Sequence, residues 1–143
     1  MDSIVEVVEA VPAGDLVDLY TSVGWSSYSE DPERLAAAIA GSSFVAIVRY
    51  GDQLVGLVRG VSDNVSILYV QDLLVDPVHQ GKGIGRLLLS SIVHRYAHVR
   101  QKVLLTDDED RQHRLYSSFG FHDVVDVDRL HAFVRIDDGE LEI

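Results

Sequence analysis

The sequence predicts an α+β fold of three layers, a mixed central β-sheet with helices on both faces. Three observations carry that prediction. Apolar alternation and short apolar runs mark strands, and spacings of three and four mark helices, in the order β-α-α-β-β-β-α-β-α-β-β. The strand–helix–strand unit over residues 65–106 makes two strands of the sheet parallel, whereas the hairpin before it is antiparallel. A length of 143 residues suits a single domain, one that buries about 68–70% of its unfolded surface.

Residues 4–8 alternate apolar and acidic side chains and read as a short strand. Pro12 opens a helix through Leu16, Leu19, Tyr20 and Val23, and Gly24 ends it. Residues 25–30 read as an irregular aromatic loop holding Trp25 and Tyr28. Asp31 before Pro32 places an N-cap ahead of a prolyl first turn. Leu35, Ala36 and Ile39 form the apolar stripe of this second helix, which Gly41 stops. Residues 44–50 and 53–59 flank Gly51-Asp52 and read as a hairpin.

The long apolar run 65–75 reads as a central buried strand ended by Asp76-Pro77. From Gly83 the positions Ile84, Leu87, Leu88, Ser91, Ile92 and Tyr96 are helical. Residues 102–106 form another strand. The acidic turn 107–110 is placed to cap a helix over 111–119, which ends at Gly120. Residues 124–127 and 130–136 are the expected last strands, and 137–143 an expected frayed tail. No repeat or Pro/Gly linker divides the chain.

Composition excludes several classes. There is no cysteine, so no disulfide, thiolate zinc site or cysteine nucleophile is available. The first ten residues lack a basic segment and a long apolar run, so no signal peptide is expected. No stretch approaches the ~20 apolar residues of a membrane span. A net charge of −11 argues against bulk binding of nucleic-acid phosphate. A cytoplasmic location is expected, with no nucleic acid and no membrane as partner. The charge is uneven: residues 66–100 hold 2 acids and 4 bases, residues 1–65 hold 10 and 3, and residues 101–143 hold 11 and 5. An acidic frame around a basic centre suits an anionic cofactor beside a cationic substrate; solvated acids serving solubility are the alternative.

The informative stretch is Gln80-Gly81-Lys82-Gly83-Ile84-Gly85-Arg86, between a buried strand and a helix. Glycines let a backbone approach a bulky group, and a first helical turn offers unpaired N–H groups and a positive dipole end, a site for phosphate. Lys82 and Arg86 add cations. A Walker A loop needs Ser or Thr after its Lys, and Gly83 stands there. A dinucleotide fingerprint needs a third glycine where Arg86 or Leu88 stands. On the preceding strand, Tyr69 and Gln71 share a face by the period of two. Asp72 is an acid in an apolar strand and needs a partner, either a substrate ammonium or backbone and loop donors. His94 and His98 lie four apart without a third ligand and read as solvated histidines, so no metal site is expected. His79 lies beside the loop, within reach of phosphate or substrate.

The stretch 80–85 matches Gln-x-x-Gly-x-Gly, and here the chain resembles the GCN5-related N-acetyltransferase (GNAT) superfamily. Leu115-Tyr116-Ser117-Ser118-Phe119-Gly120-Phe121 is similar to that family's late Leu-Tyr-x-x-x-Gly-Phe segment, and residues 72–77 are similar to its fourth strand. Residues 19–25 and 75–85 also resemble a subgroup that includes arylalkylamine-type enzymes. The resemblance implies a GNAT fold and acetyl-CoA as co-substrate, without a metal. The loop residues Gln80, Gly81, Lys82, Gly83, Ile84, Gly85 and Arg86 would bind the pyrophosphate. Backbone groups of Leu74 and Val75 would meet the pantetheine and thioester, beside a bulge in the fourth strand.

Tyr116 matches the family's general acid to the leaving thiolate. Gln71 stands where relatives often carry a carboxylate or histidine base, and it cannot take a proton. Asp72 is the neighbouring candidate for a catalytic role. Trp25, Tyr28, Tyr69 and Gln71 are the acceptor-site candidates. Glu109 stands where the family often has Asn, and Gln112 where it has a small residue. The implied activity is direct acetyl transfer to a primary amine of a small molecule or peptide, with a homodimer also open. The alternative is an acyl-CoA-binding module without catalysis.

Overall fold

The computed structural model describes residues 4–137, and its chain forms two compact units, the first through Leu104 and the second from Leu105.

In the first unit a five-stranded sheet has the order β1-β2-β3-β4-β5, with β1 Val5–Val7, β2 Phe44–Tyr50, β3 Gln53–Ser62, β4 Ile67–Val75 and β5 Gln101–Leu104. The first four strands pair antiparallel, and β4 pairs parallel with β5. The sheet is mixed, as expected. Gly51 turns the β2–β3 hairpin with φ +63, pairing Tyr50 with Gln53.

Helices α1 (Ala13–Ser22) and α3 (Pro32–Ala40) cover one face, joined by a single turn, α2 (Ser26–Ser29), where a loop was expected. The Asp31 carboxylate accepts from the Arg34 N–H at 3.1 Å, the predicted cap. Leu16, Leu19, Tyr20, Leu35 and Ile39 pack there on Val45, Ile47, Leu57 and Leu74. On the other face lies α4 (Ile84–Arg95). It approaches closely because β3 carries two glycines. A Cβ on Gly56 would stand 2.9 Å from Ile84 and from Leu88, and one on Gly60 would stand 2.8 Å from Ile92.

The second unit holds α5 (Asp110–Ser118) and a 3-10 turn, Val124–Asp126. Two expectations change here. The strands predicted over 124–127 and 130–136 do not form: the first is mostly the 3-10 turn and the second has no regular structure. Strands exist only as ladders, and these residues have no ladder partner. Phe133 is 97% exposed, so this run buries little of what its apolar pattern suggested. The acidic turn also supplies no side-chain cap. Glu109 is the N-cap without a side-chain hydrogen bond, and Glu is longer than the Asp, Asn, Ser and Thr favoured there. Thr106 and Gln112 hydrogen-bond across the turn instead. The expected frayed tail lies, beyond Asp137, outside the described residues.

Candidate active site

The parallel ladder between β4 and β5 ends at Val70 opposite Leu104, while β4 runs on to Val75. Over 71–75 no strand pairs with that side of β4 among the described residues. Which backbone groups face the opening follows from the β3–β4 register. Asp76 donates its N–H to the Val55 carbonyl at 2.8 Å. With Leu57 opposite Leu74 and Arg59 opposite Asp72, alternation directs the backbone groups of Leu74 and Asp72 to β3. Those of Leu73 and Val75 face the open side. The Gln80 amide, donating to the Val75 carbonyl at 3.1 Å, agrees with this phase. Of the two residues expected to meet the donor through their backbone, Val75 thus faces the open side, whereas Leu74 faces β3 and Leu73 faces the opening in its place. The sequence showed the strand but not its register.

Past Val75, Asp76 accepts from the Val78 N–H at 3.0 Å and starts a 3-10 turn, Pro77–His79. Gly81 and Gly83 then take φ of +81 and +82. A Cβ on either would meet nothing within 4 Å, so the left-handed backbone and not crowding demands glycine there. Gly83 is the N-cap of α4 and offers no side chain to cap the first turn. Gly85 lies inside that turn. No acid lies in the first turn either, so the dipole end is left positive. Lys82 is held near the loop by the His79 Nδ1 at 3.3 Å and stands 5.3 Å from the centre of the Tyr50 ring. His79 is buried beside this lysine. Arg86 is exposed.

The opposite side of β4 faces α1 and α2. Pairing of Arg59 with Asp72 and of Gly60 with Val70 leaves Gln71 as an extra residue, a β-bulge. The bulge brings Gln71 and Asp72 to the same face. Gln71 donates to the Tyr28 hydroxyl at 3.0 Å, and the Tyr20 hydroxyl donates to Asp72 Oδ2 at 2.9 Å. Arg59 Nε donates to the same oxygen at 2.6 Å. Asp72 is thus buried in an ion pair, and its partners are side chains of this chain. The carboxylate expected to act as a base or ammonium ligand is here held by Arg59 and Tyr20. Neither Tyr20 nor Arg59 was singled out from the sequence. The signal was there: Arg59 is a lone cation in an apolar strand beside the strand with the lone acid.

Tyr20, Trp25 and Tyr28 form an aromatic cluster with ring centres 5.4 to 6.2 Å apart. Burial, then the Asp72 charge, pushes the Tyr20 and Tyr28 hydroxyls up from the usual phenol range. Tyr69 rises by burial and by the neighbouring Tyr28 and Asp72. The four acceptor-site candidates Trp25, Tyr28, Tyr69 and Gln71 are all half-buried.

In the second unit, Tyr116 packs edge-on against Phe121, ring centres 6.1 Å apart. Burial pushes its hydroxyl up to about 12, against a lowering by the Thr106 hydrogen bond, while the Asp107 charge adds to the rise. It stays protonated at neutral pH. Among the described residues no group of three His, Asp or Glu side chains could hold a metal ion, and no helix is long and apolar enough to cross a membrane. His98 is not merely solvated; its Nε2 lies 3.0 Å from both the carbonyl and the side-chain oxygen of Asn64.

The family model of the acetyltransferase (GNAT) domain matches residues 17–136. The chain belongs to the GNAT acetyltransferase family. A GNAT-family acetyltransferase of Streptococcus pneumoniae TIGR4 superposes with a TM-score of 0.82 at 29% identity, covering 96% of this chain and 100% of that one. Among curated relatives, a histone acetyltransferase of Glycine max is 32% identical over 90 residues, 55% of this chain and 38% of its own length. The chloroplastic GCN5-related N-acetyltransferase 2 of Arabidopsis thaliana is 31% identical over 99 residues, again 55% and 38%. The match thus spans well under half of either curated relative. An aminoglycoside acetyltransferase from a soil metagenome, in complex with sisomicin, shares the GNAT fold at a TM-score of 0.67 and 16% identity. Family members use acetyl-CoA as co-substrate.

Proposed function

We propose that this GNAT protein is an acetyl-CoA-dependent N-acetyltransferase that moves the acetyl group directly to a primary amine of a small molecule or peptide. The observation that carries the reading is the path along the open edge of β4 to the glycine loop at the start of α4. Leu73 and Val75 face an opening that no strand fills among the described residues. The path leads on to Gly81, Gly83 and the first turn of α4, with Lys82 alongside. Such a path suits an extended amide-bearing arm that ends in a pyrophosphate.

The donor arm binds along the Leu73 and Val75 backbone, and its phosphates meet the N–H groups of Ile84, Gly85 and Arg86. A backbone N–H at the open edge polarises the acetyl carbonyl as negative charge develops on its oxygen. The amine nitrogen attacks the acyl carbon, and the carbon–sulfur bond breaks. Tyr116 gives its phenolic proton to the departing thiolate, the proton that the attacking nitrogen loses passes to solvent, and solvent returns one to the phenolate. This assignment rests on the Leu-Tyr-x-x-x-Gly-Phe motif and on the protonated state of the phenol. With Gln71 unable to take a proton and Asp72 in an ion pair, the amine reacts in its free-base form, and kcat/KM rises with pH toward 8 and above.

Trp25, Tyr28, Tyr69 and Gln71 form the acceptor side, an aromatic and uncharged surface. The test is thiol release from acetyl-CoA against a panel of arylalkylamines, polyamines, amino sugars and peptide N-termini. Calorimetric acetyl-CoA binding by the native protein and by Gly83→Glu accompanies it. Turnover with at least one amine, and loss of binding in folded Gly83→Glu, are expected. Binding without thiol release for every amine would make the chain an acyl-CoA-binding module; full affinity in Gly83→Glu would refute the loop assignment.

A further inference from the structure

The bulge in β4 is tethered by side chains from two other elements. Gln71, the extra residue, donates to Tyr28 of α2 at 3.0 Å. Asp72, the next residue, accepts at one oxygen from Arg59 of β3 at 2.6 Å and from Tyr20 of α1 at 2.9 Å. The ion pair is almost dry, with the two side chains 9% and 2% exposed. Arg59 also stands at the register shift itself, since the ladder slips between Arg59 and Gly60. Leu73 follows Asp72 directly. Its backbone is the first that faces the opening after the β4–β5 ladder ends at Val70.

A bulge can slide or anneal out unless something holds it, and bulges beside active sites aim the residues that follow. If Gln71 were absorbed into the ladder, the phase of β4 would reverse. Leu73 and Val75 would then turn their backbone groups toward β3 and leave the open edge without them. The charged hydrogen bond to Arg59 is the strong, directional kind that fixes a residue's position.

We propose that the Arg59–Asp72–Tyr20 network is a positioning device that holds the β4 bulge in phase and so aims the Leu73 backbone at the acyl donor. The proposal rests on reading the open edge of β4 as the donor site. Asp72 touches no substrate in this arrangement; it acts through Leu73. The same three-residue stretch, Gln71 to Leu73, joins the aromatic cap to the donor edge. Donor binding at Leu73 therefore alters the surroundings of Trp25, which stands 5.9 Å from Tyr20 and is the chain's one tryptophan.

The experiment compares Tyr20→Phe and Asp72→Asn with Ile39→Val, a core change on the same face outside the network. Three quantities are read: the backbone amide resonances of Leu73 and Val75 in the donor-free protein, the change in Trp25 fluorescence on adding acetyl-CoA, and kcat with the best amine. Both network variants are expected to shift the Leu73 and Val75 resonances and to diminish the fluorescence change. Asp72→Asn is expected to lower kcat between about ten- and a hundredfold, the scale of a ~1 Å misplacement. Ile39→Val should leave all three as they are.

Unmoved Leu73 and Val75 resonances in the network variants would overturn the proposal. So would a kcat loss that Ile39→Val reproduces at equal loss of thermal stability. If Asp72→Asn does not fold, Tyr20→Phe, which keeps the ring and removes one hydroxyl, decides by the same resonances. Failure of the native protein to bind acetyl-CoA would refute the proposed function. The donor-free resonances would still judge the network.

Discussion

Removing Arg59 alone should destabilise this protein more than removing the whole ion pair. Arg59→Met deletes the guanidinium 2.6 Å from Asp72 Oδ2 and leaves a side chain only 2% exposed, with one hydroxyl donor remaining. At an effective dielectric of about 20, two charges at this separation attract by roughly 6 kcal/mol. Breaking a buried pair on one side typically costs about 3–5 kcal/mol. For a chain of this length that corresponds to a fall in Tm of roughly 10–15 °C. Replacing both partners, Arg59→Met with Asp72→Leu, removes the stranded charge. What remains is the Tyr20 hydroxyl without its acceptor, a cost of about 1–3 kcal/mol. The double variant is therefore expected to be more stable than Arg59→Met, and adding Tyr20→Phe should recover more. Urea denaturation of the four proteins at pH 7 measures this. A double variant no more stable than Arg59→Met, or an Arg59→Met cost under about 1 kcal/mol, would refute the reading of a desolvated pair that stands or falls together.

Gly60→Ala places a Cβ 2.8 Å from the Ile92 side chain and 2.9 Å from the Tyr69 carbonyl. It should cost about 1–3 kcal/mol in denaturant unfolding, because the carbonyl cannot yield as a side chain would. Tyr116→Phe keeps the packing on Phe121 and removes only the proton; kcat should fall by ~10²–10⁴-fold with little change in the KM for acetyl-CoA. A kcat equal to that of the native enzyme, with chemistry limiting, would remove Tyr116 from the mechanism.

Tyr20, Tyr28, Tyr69 and Tyr116 all have raised hydroxyl pKa values, Tyr116 at about 12. Below the unfolded value near 10 both states hold these protons. Above it the unfolded chain releases them first, so stability is full below pH ~10 and falls as pH rises toward 12. Urea midpoints from pH 8 to 11.5 should show that fall. Tyr116→Phe should flatten it, and an unchanged slope would count against the burial of this phenol.

The sequence was sufficient for what depends on local periodicity and on backbone chemistry. The β2–β3 hairpin, the Asp31 cap, α4 and the glycine loop before it were all legible. Each rests on residues close in the chain: a turn pair, a short polar cap, a stripe at three and four, or a position only glycine occupies without strain. Tyr116 was reached through a motif whose residues lie on one helix turn and its exit.

Tertiary structure alone decided the rest. The register of β4 on β3 turned Leu73, not Leu74, to the open edge, because one unpaired residue at Gln71 reverses the phase of everything after it. The partners of Asp72 were equally out of reach, since Arg59 stands 13 residues away and Tyr20 stands 52. A periodicity of two shows that an acid lies in an apolar strand, but which cation and which hydroxyl meet it depends on how strands align and helices dock. The expected strand over 130–136 shows the same division from the other side. Its alternating apolar pattern is a property of the sequence, but a strand exists only where a second strand completes its hydrogen bonds.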